Sequence, residues 1–597
     1  MITKYKNIKQ QRYTGPKKPV TPRAKINVSH APHAAKNSDA KNKLRIIPLG
    51  GCEEVGRNMT VFEYNNDIVI LDMGLQFPEE DMLGIDYIIP NVEYLKGKEK
   101  NIRGVIFSHG HLDHIGAAPI LLKKLGNPTI VGRNLTLAMI KHRVEDYEPN
   151  SSKKLKTILI KNITDKITLG AFKVSFFQIE HSIMDAVGLI LSTPHATIVH
   201  PGDWTMERDK NGKALVDYSH LAKLPRPTVL MLESLGIVST KASPTSDELK
   251  KNLEDLISKA PSRMIIGTFA SQIERIGWII EIAEKLGKKI ALTGYSMKMN
   301  IEIARELGYI KCKKDTIIKV EQIHNFPEDK IIVICPGAQG EENAALNRII
   351  EGNHRQVKIK KTDTIILSSS IIPGNERTIQ RLKDNLYRQC DNVIHGALMD
   401  IHISGHGTKD DIAYMLKTIR PDYYIPVYAN HYMLKESEKM AQGIGFNPKR
   451  IFVPDNGSVI EFDRLGGRLT KEKAVTNYVF VDGMGVTDSS NNVVLRDRKM
   501  MSEDGMVVVI ATIDSKTGDL IGSPDIISRG FVYMKENQDM IQKVRQKIKT
   551  IIKSRPMPQP GVTEDDYLKN KIRTEIGLFL FQQTKRRPLL LPVIIRV

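Results

Sequence analysis

The chain has 597 residues, 41% of them hydrophobic and 26% charged, and a formal net charge of +20. That length exceeds what one core supports and predicts roughly two to four domains, with the composition of an ordinary soluble globular protein. No apolar run approaches the length of a membrane span, and no apolar block follows the polar, basic N-terminus, so a cytoplasmic protein is expected. Cys52, Cys312, Cys335 and Cys390 stand singly, which argues against both a disulfide framework and a cysteine zinc knuckle.

Residues 1–43 carry eleven Lys/Arg against one acid, Asp39, so half of the net charge sits in this segment. Basic, Pro-containing and poor in aromatics, it is expected to be disordered, either as a solvated tail or as an arm that attracts polyanions by counterion release. Strands are predicted in LRIIPLGG (44–51) and MTVFEYNNDIVILDMG (59–74). Gly50, Gly51 and Gly56 lead into a strand rather than a helix, which argues against a dinucleotide-binding turn. A buried strand at GVIFSH (104–109) precedes a helix through PILLKKLG (119–126), and further strands are predicted at 172–181, 196–203 and 228–234. Each ends in a polar or ionisable residue, and in a layered α/β fold such residues project onto one rim, where ligands bind.

From about residue 236, helices alternate with apolar strands, the pattern of a parallel sheet covered by helices and inserted into the first domain. Strand-end chemistry resumes at HISGH (402–406) and YYIPVYANH (423–431), and the final segment has strands of its own, such as GMVVVIATID, and the helix DMIQKVRQKIKTIIK. The expected divisions are a tail at 1–43, a first domain at 44–235 and 399–465, an inserted domain at 236–398 and a C-terminal domain at 466–597.

The densest chemistry is SHGHLDH, residues 108–114. His109 and His111, two apart at a strand end, can point at one cation, while Asp113 and His114 can reach a second beside it. Three imidazoles and a carboxylate within six residues would be costly to leave unpaired in a core. No GxSxG elbow and no Cys–His neighbour supports nucleophilic catalysis. The HxHxDH string resembles the signature of the metallo-β-lactamase superfamily. That resemblance implies His181 as a third ligand of the first zinc and Asp203 as the carboxylate bridging two metals, with His195 and His200 matching no ligand position. Zinc suits nitrogen and oxygen donors and an open position, and manganese suits the carboxylate-rich ones. Two such ions can clamp a phosphodiester during in-line attack, so hydrolysis leaving a 5′-phosphate is expected.

Further strings resemble ribonuclease J: GAQGEENAAL (337–346), SSSIIPGNE (368–376), HISGHGT (402–408), RPDYYIPV (420–427) and, near the end, LRDRKMMSEDGMVVV and TKRRPLLLPVI. The resemblance covers residues 44–597. It implies an αβ/βα metallo-β-lactamase sandwich with an inserted β-CASP domain and a small α+β C-terminal domain. It further implies a nuclease acting on single-stranded RNA, exonucleolytic from 5′-monophosphate ends and also endonucleolytic, in rRNA maturation and mRNA decay. His402, Ile403, Ser404, Gly405 and His406 would then cradle the 5′-phosphate, Ser234 would add a hydroxyl, and His406, Asp113 and Glu233 would be catalytic. Through residues 466–597 the chain would pair with itself or with a paralogue. Three departures stand out: Glu233 replaces an expected Asp, Gln272 and Glu274 replace Asn and His, and Tyr428 replaces the histidine expected as the last ligand of the second metal. The mixture resembles a second paralogue, either an active nuclease or a weakly active or inactive RNA-binding subunit. His431 has an odd offset from Tyr428 and, on a strand, would face away.

Overall fold

A computed structural model describes residues 42–597 apart from 80–81, 210, 240–244, 342–343, 370–374, 397–404, 484, 489–492, 533–536 and 555–562. The basic segment therefore lies outside the described residues, save for its last two positions. No helix among the described residues is long and apolar enough to cross a membrane.

Two sheets, of eight and six strands, face each other. The alternation in Leu44–Gly50 explains how: Leu44 and Ile46 enter a core shared with Phe172, Leu189 and Leu230 of the six-stranded sheet. Ile47 and Leu49 enter the opposite core, against Leu121, Leu135 and Ile140 of helices Ala118–Lys124 and Asn134–Tyr147. Asp67–Leu71 repeats the split, Val69 and Leu71 to one side, Ile68 and Ile70 to the other. A period of two thus builds a sandwich with helices outside. Helices Lys409–Ile419 and His431–Gly443 cover the far face of the second sheet. After the insertion the chain returns as Tyr423–Val427, parallel to Thr228–Glu233 with Glu233 opposite Val427.

The inserted region holds a wholly parallel six-stranded sheet. Its strands, such as Met264–Gly267 and Ile331–Cys335, are Ile-rich and buried on both faces, as a parallel sheet between two helical layers requires. Tyr309 reaches back to the first domain, donating from Oη to Asp185 Oδ2 at 2.5 Å, while Arg133 holds Asp185 Oδ1 at 3.1 Å. The C-terminal region packs helices Gln538–Lys553 and Glu564–Thr584 on one face of a three-stranded sheet. The 21-residue second helix was not anticipated from the sequence.

Candidate metal centre

Strand Ile102–Ile106 leads through Phe107 to Ser108 and His109, and the chain turns at once into the short helix Leu112–Ile115 with His111 as its N-cap. His181 follows strand Phe172–Gln178. The three imidazoles converge: His109 Nε2 lies 3.1 Å and His181 Nε2 3.0 Å from His111 Nδ1. His181 Nδ1 donates to the Gly405 carbonyl at 2.7 Å, leaving its Nε2 lone pair toward the cluster. Burial drives all three toward neutrality, His111 to about 4, His181 to about 3 and His109 well below the ordinary value. His111 Nε2 is buried with no hydrogen-bond partner among the described residues. Neutral imidazoles crowded nitrogen to nitrogen are the donor set that a borderline-soft cation takes, so these residues fit a bound metal.

A second seat adjoins the first. His114 is fully buried, and its Nδ1 donates to Asp72 Oδ2 at 2.8 Å, which turns Nε2 toward Asp203 Oδ1 at 3.2 Å and Asp113 Oδ2 at 3.5 Å. Asp72 sits at the end of Asp67–Leu71 in the left-handed region, φ 61°, and also accepts from the Ser108 amide and hydroxyl, each at 2.8 Å. Burial opposes a charged His114, but Asp203, Asp113 and Asp72 outweigh it and hold its pKa well up. Three carboxylates about one imidazole make a site that favours positive charge. His109, His114 and Asp203 together offer ligand atoms within 4.8 Å of one another.

Beside this seat, Glu233 Oε1 pairs with His406 Nδ1 at 2.5 Å, with Asp203 Oδ2 3.9 Å from the same nitrogen. Burial lifts the Glu233 carboxyl to about 7 against the pull of His406. Burial pulls the His406 imidazole down, but Glu233 outweighs it and lifts it to about 9. The longer arm of Glu233 thus reaches the histidine directly. A Cβ on Gly405 would meet His181 Cε1 at 2.8 Å, so only glycine lets this turn approach the His181 ring. Ser234 is fully buried, with its hydroxyl on the Leu232 carbonyl at 3.3 Å. His402, Ile403 and Ser404 lie outside the described residues.

Tyr428 follows Tyr423–Val427 at φ 56°, buried, its ring beside His114 and His200. His431 corrects the sequence expectation: it is the first residue of helix His431–Gly443, not part of a strand. Asn430 starts that helix, and the His431 ring is half exposed and pairs with Asp455 at 3.3 Å. Gln272 is buried, and burial with nearby Glu207 raises the Glu274 carboxyl. Sequence reasoning singled out neither Asp72 nor Asn58, whose Nδ2 is 2.9 Å from His114 Nε2. The trace of Asp72 in the sequence is an acid closing an apolar strand, a weak signal by itself.

Residues 53–229 match the metallo-β-lactamase superfamily, 261–386 the β-CASP domain of ribonuclease J and 493–597 the ribonuclease J C-terminal domain. The architecture is therefore a metallo-β-lactamase sandwich with a β-CASP insertion and a C-terminal domain. The chain is 34% identical over 556 residues to ribonuclease J2 of Bacillus subtilis (strain 168), covering 93% of this chain and 99% of that protein. It is 34% identical over 556 residues to ribonuclease J 1 of Streptococcus pyogenes serotype M3, covering 93% and 98%. Ribonuclease J 2 of Staphylococcus aureus (strain MRSA252) is 32% identical over 558 residues, again covering 93% and 98%. Similarity of this extent, spanning all three domains, means that the chain belongs to the ribonuclease J family.

Proposed function

We propose that this protein is a cytoplasmic, zinc-dependent ribonuclease that hydrolyses single-stranded RNA from 5′-monophosphate ends, and internally, in rRNA maturation and mRNA decay. The observation that carries this reading is the adjacency of three neutral imidazoles, His109, His111 and His181, to the acidic seat of His114, Asp113 and Asp203. Zinc at the first seat, with zinc or manganese at the second, would supply an activated water and neutralise the phosphodiester oxygens. The chain's own contribution is positional. Asp72 fixes the His114 tautomer, Gly405 orients His181, and the Glu233–His406 pair holds a proton that can be passed to the leaving oxygen. Gly405 and His406, with His402 to Ser404, would receive the terminal phosphate, while the inserted domain tracks the strand through its phosphates.

Tyr428 favours a second reading, in which the chain is a weakly active or inactive RNA-binding subunit paired with an active paralogue. Both readings use an interface through the C-terminal region. On the sheet face turned away from the helices, Ile527, Leu591, Val593 and Ile595 are exposed, and Ile527 and Leu591 flank Val508. Such an apolar face is suited to a second chain. The end preference is tested by degrading the same single strand with a 5′-monophosphate or a 5′-triphosphate. The monophosphate should be degraded faster, and equal rates would remove the exonuclease from the proposal.

A further inference from the structure

We propose that the Asn58 carboxamide is a ligand of the second cation, through Oδ1, in the seat that Tyr428 leaves one donor short. This rests on the two-cation reading above. Asn58 is almost wholly buried, and its Nδ2 lies 2.9 Å from His114 Nε2 and 3.3 Å from Asp113 Oδ2. Its Oδ1 is buried with no hydrogen-bond partner among the described residues. In this orientation the NH2 group stands where positive charge is wanted, and the oxygen is left without a donor. A cation held by His114, Asp113 and Asp203 takes those lone pairs away from the NH2 group. Half a turn of the carboxamide then exchanges N for O and presents a ligand.

The backbone holds the side chain ready for this role. Asn58 N donates to the Asp113 carbonyl at 3.0 Å, and Gly74 N donates to the Asn58 carbonyl at 2.9 Å. The preceding Arg57 is buried on Glu54, Nε to Oε1 at 3.0 Å and Nη2 to Oε2 at 3.1 Å, and its amide donates to Leu75 at 2.9 Å. Asn58 is thus stitched directly to the short helix that carries Asp113. Gly51, at φ 87°, makes the room: a Cβ there would meet Asn58 Oδ1 at 2.4 Å and Tyr428 Cδ1 at 2.8 Å. A seat of one imidazole, two carboxylates and an amide oxygen is oxygen-rich and suits manganese or magnesium better than zinc.

The test is equilibrium dialysis of Mn2+ into the metal-stripped full chain, with metal per chain by atomic emission and the Mn2+ paramagnetic resonance spectrum as readouts. The unmodified chain should show two classes of site. Asn58→Ala should keep the tighter class and weaken the other about tenfold or more, since even outer partners of ligands are worth that much. The isosteric Asn58→Asp, which supplies an anionic oxygen and covers the case in which the alanine variant does not fold, should tighten the second class. Second-site binding unchanged or tighter in Asn58→Ala, or unchanged or weaker in Asn58→Asp, would overturn the assignment alone. A single class of site in the unmodified chain at every Mn2+ concentration would overturn the two-cation reading along with it.

Discussion

The Tyr428 ring stands edge-on to His114, centroids 5.5 Å apart at 77°, and also packs beside the His200 ring at 5.0 Å. His200 is fully buried, and burial holds its pKa down at about 3, so it meets the phenol as a neutral ring. Tyr428 therefore occupies the wall of the second seat as packing. Its hydroxyl is buried near Thr60, without a hydrogen-bond partner of good geometry among the described residues.

Replacing this wall with a ligand should change metal binding more than folding. Tyr428→His is expected to raise second-site affinity about tenfold or more and to raise the cleavage rate. In the presence of chelator it should cost about 1–3 kcal/mol of stability, as lost aromatic packing does. Metal content per chain and a denaturant melt check both. Two tightly held metals already present in the unmodified protein, with no gain on substitution, would contradict the account.

The Glu233–His406 pair should make stability pH-dependent in chelated protein. Both pKa values are raised above their ordinary values, so the folded state holds these protons more tightly than the unfolded chain does. The stability they confer is present at low pH and is lost as pH rises, through about 7 for Glu233 and about 9 for His406. The difference in melting temperature between the unmodified protein and His406→Gln should shrink across that window. With metal and saturating RNA, His406→Gln should slow cleavage by about 10²-fold or more. A pH-independent melting difference would speak against the shared proton.

The basic N-terminal segment is expected to contribute affinity without chemistry. Deleting residues 1–40 should weaken RNA binding at low salt and flatten its salt dependence, because counterion release scales with the phosphates neutralised. The single-turnover rate at saturation should not change. A large loss of that rate would assign the segment a place in the site.

At the C-terminal sheet, Leu591→Glu with Val593→Lys places charge on the exposed face while leaving its buried side untouched. Sedimentation should show a larger species in the unmodified protein and a monomer in the variant, with the fold retained. A monomer in both cases would remove the interface from the proposal.

Much of this candidate site could be read from the sequence because the residues that could bind a metal announce themselves. HxHxDH compresses four polar side chains into one strand-end turn, and His181 and Asp203 each close an apolar run. The inserted sheet was equally legible, since strands buried on both faces read as unbroken Ile and Val. What sequence could not show was pairing across distance. Asp72 meets His114 through 42 positions of chain, and Glu233 meets His406 only because the chain returns beside Thr228–Glu233 after the insertion. Asn58, between a buried arginine and a methionine, has no periodic signature. His431 was misread because Asn430, which reads as the end of a strand, opens a helix.

The central claim, a metal-dependent ribonuclease built on these strand ends, is tested most directly by one comparison. The full chain and its His109→Ala variant, each metal-stripped and then supplied with zinc or manganese, are given a 5′-monophosphorylated single-stranded RNA under single-turnover conditions. The account predicts metal-restored degradation by the unmodified chain and a loss of about 10³-fold or more in the variant, with RNA affinity kept. Equal degradation by both proteins, or none by the unmodified chain at any metal concentration, would contradict it.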